Sequence, residues 1–210
     1  MPLDGDLAEV VMPKTDKGYY EILHDPLGYN VIVHNKVYPN PNRFFAHWTT
    51  SEYFRFMPLF LQKFVSSIDS IYISAAIIKT LVQVIILYIL AMLVTGTGKV
   101  FNTRFLLTVA LIAPLFQTAG FNRDMGIIDL SVTYVFFYAL PVGILLVFIS
   151  PFFMSEYYGK RLKPNIINIL ILVTLAVYLA FSSPLNPGIL LIISMLVILE
   201  AIRRHYKQYD

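Results

Sequence analysis

IYISAAIIKTLVQVIILYILAMLV, residues 71–94, is apolar almost throughout and carries a single charge, Lys79. At 1.5 Å of rise per residue, a helix over this run covers the roughly 30 Å hydrocarbon core of a bilayer. The rest of the chain follows the same pattern. Hydrophobic residues make up 57% of the 210 and charged residues only 14%, against about 25% charged in a soluble domain. The composition therefore predicts a membrane protein and excludes an ordinary water-soluble enzyme domain. Without cysteine there is no disulfide, no zinc-thiolate cluster and no thiol nucleophile.

Working outward from residues 71–94, four further runs are read as spans: residues 105–121, 128–153, 166–181 and 185–202. The last two are short and meet at the polar turn SSPLNPG, which predicts a helical hairpin. Pro114 and Pro141 fall inside spans, where a missing backbone donor kinks a helix. The expected fold is an all-α membrane protein of about five transmembrane helices in a bundle, occupying residues 70–205.

Residues 1–69 differ in kind. They hold most of the 13 acidic residues, mixed with Tyr, Pro and Asn, and read as a water-facing segment. HDPLG places Pro26 and Gly28 at turn positions, and VIVHNKVY suggests a short extended piece. Residues 53–65, YFRFMPLFLQKFV, are too few to span and keep Arg55 and Lys63. This stretch is expected to lie parallel to the membrane surface, with Trp48 and the nearby aromatics at headgroup depth.

The loops set the orientation. One side receives Lys99, Arg104, Lys160, Arg161, Lys163, Arg203, Arg204 and Lys207, whereas the two short loops of the other side hold only Arg123. By the positive-inside rule the first side is cytoplasmic, so residues 1–69 are external and the C-terminus is inside. No signal peptide opens the chain, so export of residues 1–69 calls for a further hydrophobic helix upstream, and the chain is read as N-terminally truncated. A genuine cytoplasmic N-terminus would instead make residues 53–65 a sixth span.

Ionisable groups inside a span cost about 2.5–3.5 kcal/mol at its centre, so each needs a partner or a task. Lys79 and Gln83 share one face of the first span. Gln117, Thr118, Arg123, Asp124 and Asp129 collect at the outer ends of the next two. A cavity formed by Lys79, Gln83, Gln117, Arg123 and Asp129 would open outward. The competing explanation is snorkelling of Lys79 to the outer headgroups and ordinary interfacial placement of the aspartates.

Several motifs fail. TGTGKV, 95–100, has Leu93 and Val100 where a phosphate loop needs Gly and Ser or Thr. His24, His34 and His47 lack metal-ligand spacing, and a G-x-S-x-G nucleophile elbow is absent. Glu200 with Arg203 and Arg204 reads as local helix pairing.

LDGDLAEVV remains. Asp6 can cap a helix, with Glu9 completing a capping box. Alternatively, Asp4 and Asp6 can hold a divalent cation or take a proton from an acceptor hydroxyl. A D-x-D element, a long external loop with membrane-parallel segments and then a hydrophobic bundle together resemble the C-type (GT-C fold) integral-membrane glycosyltransferases. DGDLA, HDPLGYNVIVHNKVY, NRFFAHW and FMPLFLQKFVSSIDSIYISAAIIKTLVQ also look like a family of bacterial multispanning membrane proteins of that appearance, across most of residues 3–90.

The resemblance implies transfer of a sugar from a polyprenyl-phosphate carrier to an acceptor on the outer face of the bacterial cytoplasmic (inner) membrane. Asp4 or Asp6 would be the base or metal ligand. Charge and depth add Lys79 or Arg123 as the cation facing the carrier's phosphate. The chain departs from that fold in having a smaller bundle and no separate acceptor domain. Two non-enzymatic readings stand beside it, a membrane scaffold or assembly factor and a transporter component. The implied partners are the bilayer and a lipid-linked sugar, with no nucleic acid.

Overall fold

The computed structural model describes residues 6–14, 18–36, 41–116, 131–160 and 165–207. Among these there are helices and no strands. Three short helices, α1 (Leu7–Val11), α2 (Gly18–His24) and α3 (Tyr29–His34), precede α4 (Phe44–Leu61). The longer elements are α5 (Ser67–Thr95), α6 (Thr103–Ile112) with a 3-10 turn at Ala113–Phe116, and a rod over Val132–Tyr158. The rod consists of α7 (Val132–Tyr134), a π turn (Val135–Ala139) and α8 (Leu140–Tyr158), and the hairpin α9 (Ile166–Ala180) and α10 (Asn186–Lys207) follows it.

Two helices are long and apolar enough to cross a membrane, Ser67–Thr95 and Val132–Tyr158. Thr103–Phe116, Ile166–Ala180 and Asn186–Glu200 are shorter apolar helices. Where they are described, the five runs read as spans are helical apart from end residues such as Ser131, Phe181 and Leu185, and two of them have the length to cross a membrane.

Helix α5 is the central post and packs against α4, α6 and α8. It begins four residues before the apolar run because SSID is a capping pair. The Ser66 hydroxyl accepts the Asp69 amide at 3.2 Å and donates to the Asp69 carboxylate at 2.7 Å, closing the first turn reciprocally. Ile78, Val82 and Ile86 of α5 form one buried cluster with Phe54 of α4 and with Val132, Val135 and Phe136 of the rod. A second cluster joins Leu145 and Phe148 of α8 to Leu179 and Leu190 of the hairpin.

Two of the in-span prolines, Pro114 and Pro141, leave marks. Pro114 lies where α6 tightens into the 3-10 turn. Pro141 follows the π turn, in which the Leu140 amide reaches back five residues to the Val135 carbonyl. A wider turn relieves the contact that a proline ring makes with the carbonyl four residues earlier.

Two local expectations are corrected. VIVHNKVY is not extended where it is described, because Val31–His34 belong to α3. Its nucleus is the preceding turn, where the buried Asp25 carboxylate accepts the amides of Tyr29 and Asn30, both at 2.9 Å. These bonds satisfy first-turn donors that β-branched residues would otherwise leave open. The capping box at Asp6 does not form either. Asp6 stands at the N-cap of α1 but with φ −80°, ψ −16°, and its side chain makes no capping hydrogen bond. A capping carboxylate needs the extended backbone that swings it over the first amides.

The two ends of the bundle differ. At one end α1 and α2 pack on α4, Ser51 donates to the Val11 carbonyl at 3.3 Å, and the Phe45 amide donates to Phe181 in the hairpin turn at 2.9 Å. Near that end the Tyr53 hydroxyl donates to the Ser74 carbonyl at 2.8 Å, and burial pushes its pKa up to about 12, so it remains a donor. At the other end TGTGKV is a helix terminus. Gly96 closes α5 at φ 66°, and the Tyr158 hydroxyl donates to the carbonyls of Leu93 and Val94. Lys160 donates to the Gly96 carbonyl, a cation where the helix dipole is negative. Glu200 pairs with Arg203 at 2.8 Å.

A Cβ at Gly96 would lie 2.5 Å from the Tyr158 ring. Gly96→Ala therefore combines left-handed backbone strain with displacement of that ring, about 2 kcal/mol together. The expected drop in thermal midpoint in detergent is roughly 4–8 °C; an unchanged midpoint would show that Tyr158 moves aside without cost.

Candidate functional site

Helix α1 separates two cavities at the α4 end of the bundle. Its positions 6 and 10 share one face, and 7, 8 and 11 the other, as helical spacing requires. Leu7, Ala8 and Val11 line an open apolar groove of about 1060 Å³ whose far wall is Phe54, Pro58 and Leu59 of α4, with Arg55 and Gln62 among its polar groups. Asp6 and Val10 line a polar cavity of about 60 Å³ with Tyr19, Arg43, His47, Thr133, Tyr134, Phe137 and Tyr138.

The polar cavity has a dry floor and an open mouth. His47, one turn into α4, is 2% exposed and Thr133 is 4% exposed, whereas Tyr134 and Tyr138 are each 47% exposed. The His47 ring meets Phe137 edge-on at 4.7 Å and Tyr19 at 5.0 Å. Arg43 sits over the Phe137 ring at 5.8 Å, within the range of a cation–π contact. Thr133, Tyr134, Phe137 and Tyr138 stand at i, i+1, i+4 and i+5 and so share one side of the rod, and the π turn that falls within this stretch is of a kind that recurs at functional sites.

Two floor atoms, His47 Nδ1 and Thr133 Oγ1, have no hydrogen-bond partner among the described residues. Buried polar atoms are almost always paired, because desolvating one costs about 1–3 kcal/mol. Burial first, and then the Arg43 charge, lower the His47 pKa from 6.5 to about 4, so the ring is neutral at pH 7 and offers one donor and one acceptor.

That shift sets a pH dependence. Between pH 6.5 and 4 the unfolded chain binds a proton that the folded chain refuses, so stability falls as pH drops through this window and levels off below it. The loss is about 3 kcal/mol. His47→Gln should remove this component of the acid sensitivity, read as the difference in thermal midpoint between pH 7 and pH 4.5. Equal differences in the two proteins would contradict the assignment.

Of the residues singled out from the sequence, Asp6 is at this site. Lys79 is 9% exposed on α5, and neither it nor Gln83 lines the groove or the polar cavity. Asp4, Gln117, Arg123 and Asp129 lie outside the described residues. Arg43, His47 and Thr133 were not singled out as site residues. In the sequence His47 stands out only as a metal-ligand candidate, and 86 positions separate it from Thr133, so no local spacing links them. As for a metal, no group of three His, Asp or Glu side chains converges among the described residues. Among the described residues the cavity offers one carboxylate and one imidazole, with Arg43 beside them.

Among the described residues, fold and site define a helical protein with two helices long and apolar enough to cross a membrane and, at one end, a polar cavity beside an apolar groove. No protein-family model, curated protein or solved structure matches it.

Proposed function

We propose that the protein is a multispanning membrane protein that transfers a sugar from a polyprenyl-phosphate carrier to an acceptor on the outer face of a bacterial cytoplasmic membrane. The observation that carries this reading is the pairing of an apolar groove with a polar cavity across one short helix. An amphiphile needs that shape, with its chain in the groove and its reacting end near Asp6. The layout of a D-x-D element, a long external loop and a hydrophobic bundle, which resembles the GT-C glycosyltransferases, supplies the reaction class.

Membrane embedding is supported by the two long apolar helices and by the exposed Ile167, Leu170, Ile171, Leu191 and Leu196 on the hairpin, a surface that water would not tolerate as a contiguous patch. The five-span count rests on the apolar runs, and the orientation rests on the basic loops. Lys99 and Lys160 lie at the end of the bundle away from α1 and α4, in keeping with that end being cytoplasmic.

In this reading Asp6 takes the proton of the acceptor hydroxyl as its oxygen bonds to the anomeric carbon. The bond from that carbon to the phosphate oxygen breaks, and the polyprenyl phosphate leaves. Arg55 lines the groove and Arg43 the cavity, so cations flank the place where the phosphate would gain charge.

A polyprenyl phosphate with a diazirine in its chain tests the groove. Irradiation in proteoliposomes should label the peptides of α1 and α4. Label confined to the outward faces of α9 and α10 would mean that the groove does not take the carrier.

A further inference from the structure

The floor of the polar cavity calls for a ligand of a particular kind. Its two orphaned atoms, His47 Nδ1 and Thr133 Oγ1, are both buried, and their residues line one space of about 60 Å³. A water molecule occupies about 30 Å³ in the liquid, so the space suits two water-sized groups and not a whole sugar ring. The charges that face it are Arg43 from α4 and Asp6 from α1, one of each sign, with Tyr19, Tyr134 and Tyr138 as the remaining titratable groups. A lining with no net charge gives little reason to hold an isolated anion. A neutral imidazole and a hydroxyl, each able to donate or accept, match groups that also do both. The aromatic mouth adds flat apolar faces for the C–H side of such a ligand.

We infer that the cavity is a subsite for two adjacent hydroxyl groups of a neutral sugar, with His47 Nδ1 and Thr133 Oγ1 as its floor contacts and the ring of the sugar lying against the Tyr134–Tyr138 pair, whose own rings meet edge-on at 5.5 Å. The class of ligand rests on the sugar-transfer reading, and the place rests on the cavity alone. Thr133 and His47 are specificity-determining groups. A sugar lacking one of the two hydroxyls leaves a buried polar atom unpaired, which is a stronger discriminator than a missing apolar contact.

The test uses the full chain in detergent with 15N-labelled histidine, and follows the His47 imidazole during titration with D-glucose, D-mannose or D-galactose, and separately with inorganic phosphate. At least one hexose should give a saturable shift, and phosphate none. Thr133→Val should weaken the hexose about tenfold, the effect of one hydrogen bond at the upper end of its usual range, while Thr133→Ser, which keeps the hydroxyl, stays within about twofold. A response to phosphate but to no hexose would make this an anion site and overturn the inference. So would no response to either, or equal binding by the Val and Ser variants. If hexoses bind as expected and no sugar is ever transferred, the subsite stands and the transferase reading falls; transfer without hexose binding here does the reverse.

Discussion

Asp6→Asn is expected to lower sugar transfer by about 100-fold to 10⁴-fold, the usual contribution of a positioned general base, while the protein accumulates normally. Asparagine has the shape of aspartate and keeps its hydrogen-bonding oxygen, but it cannot accept the hydroxyl proton. The folding cost should stay below about 1 kcal/mol because Asp6 is exposed and its side chain does not cap α1. Transfer by membranes holding equal amounts of the two proteins is the measurement. An asparagine variant that transfers at the parent rate would remove Asp6 from the chemistry, and one that fails to accumulate would make the residue structural.

Phe136→Ala should have the largest effect on stability. Phe136 is 2% exposed in the π turn, with its ring 5.6 Å from Tyr53 and 6.1 Å from Phe54, so it locks α4 to the rod. Truncating a buried phenylalanine costs about 3–5 kcal/mol in a water-soluble core. Lipid is as apolar as the core, so part of the transfer component vanishes in a membrane, but the lost packing remains. About 3 kcal/mol is therefore expected, or a drop of roughly 6–12 °C in thermal midpoint. Both cavities should fail together, since α4 supplies Arg43 and His47 to one and Phe54 and Arg55 to the other. A midpoint within about 2 °C of the parent would mean that α4 is held by other contacts.

The parts of this fold that are legible in the sequence are those where one local rule dominates. Residues 71–94 announce α5 by length and hydropathy alone, and the breaks at Pro114, Pro141 and SSPLNPG mark real changes in the backbone. Where two local rules compete, the weaker signal can win. Val31, Ile32 and Val33 favour an extended chain, yet two hydrogen bonds to the Asp25 carboxylate start a helix there. HDPLG contains that aspartate, so the signal was present but was read only as a turn. Likewise SSID extends α5 through a pair visible at Ser66 and Asp69.

The site is another matter. Asp6 can be singled out because paired carboxylates are rare in so apolar a chain. His47 and Thr133 cannot, because their meeting depends on how α4 docks on the rod. That docking does not follow from the periodicity of either segment. Lys79 draws attention for its charge in an apolar run, and its burial on α5 places it in the packed interior rather than at either cavity.

The central claim is movement of sugar off a lipid carrier, and one measurement tests it most directly. Right-side-out vesicles bearing the full protein are supplied with polyprenyl phosphate carrying tritiated glucose, mannose or galactose, and the label is partitioned between organic-soluble carrier and insoluble product. The account predicts that one of these sugars leaves the carrier at least about 100-fold faster with the parent protein than with Asp6→Asn. Equal rates for parent, variant and vesicles without the protein, with all three sugars, would contradict it.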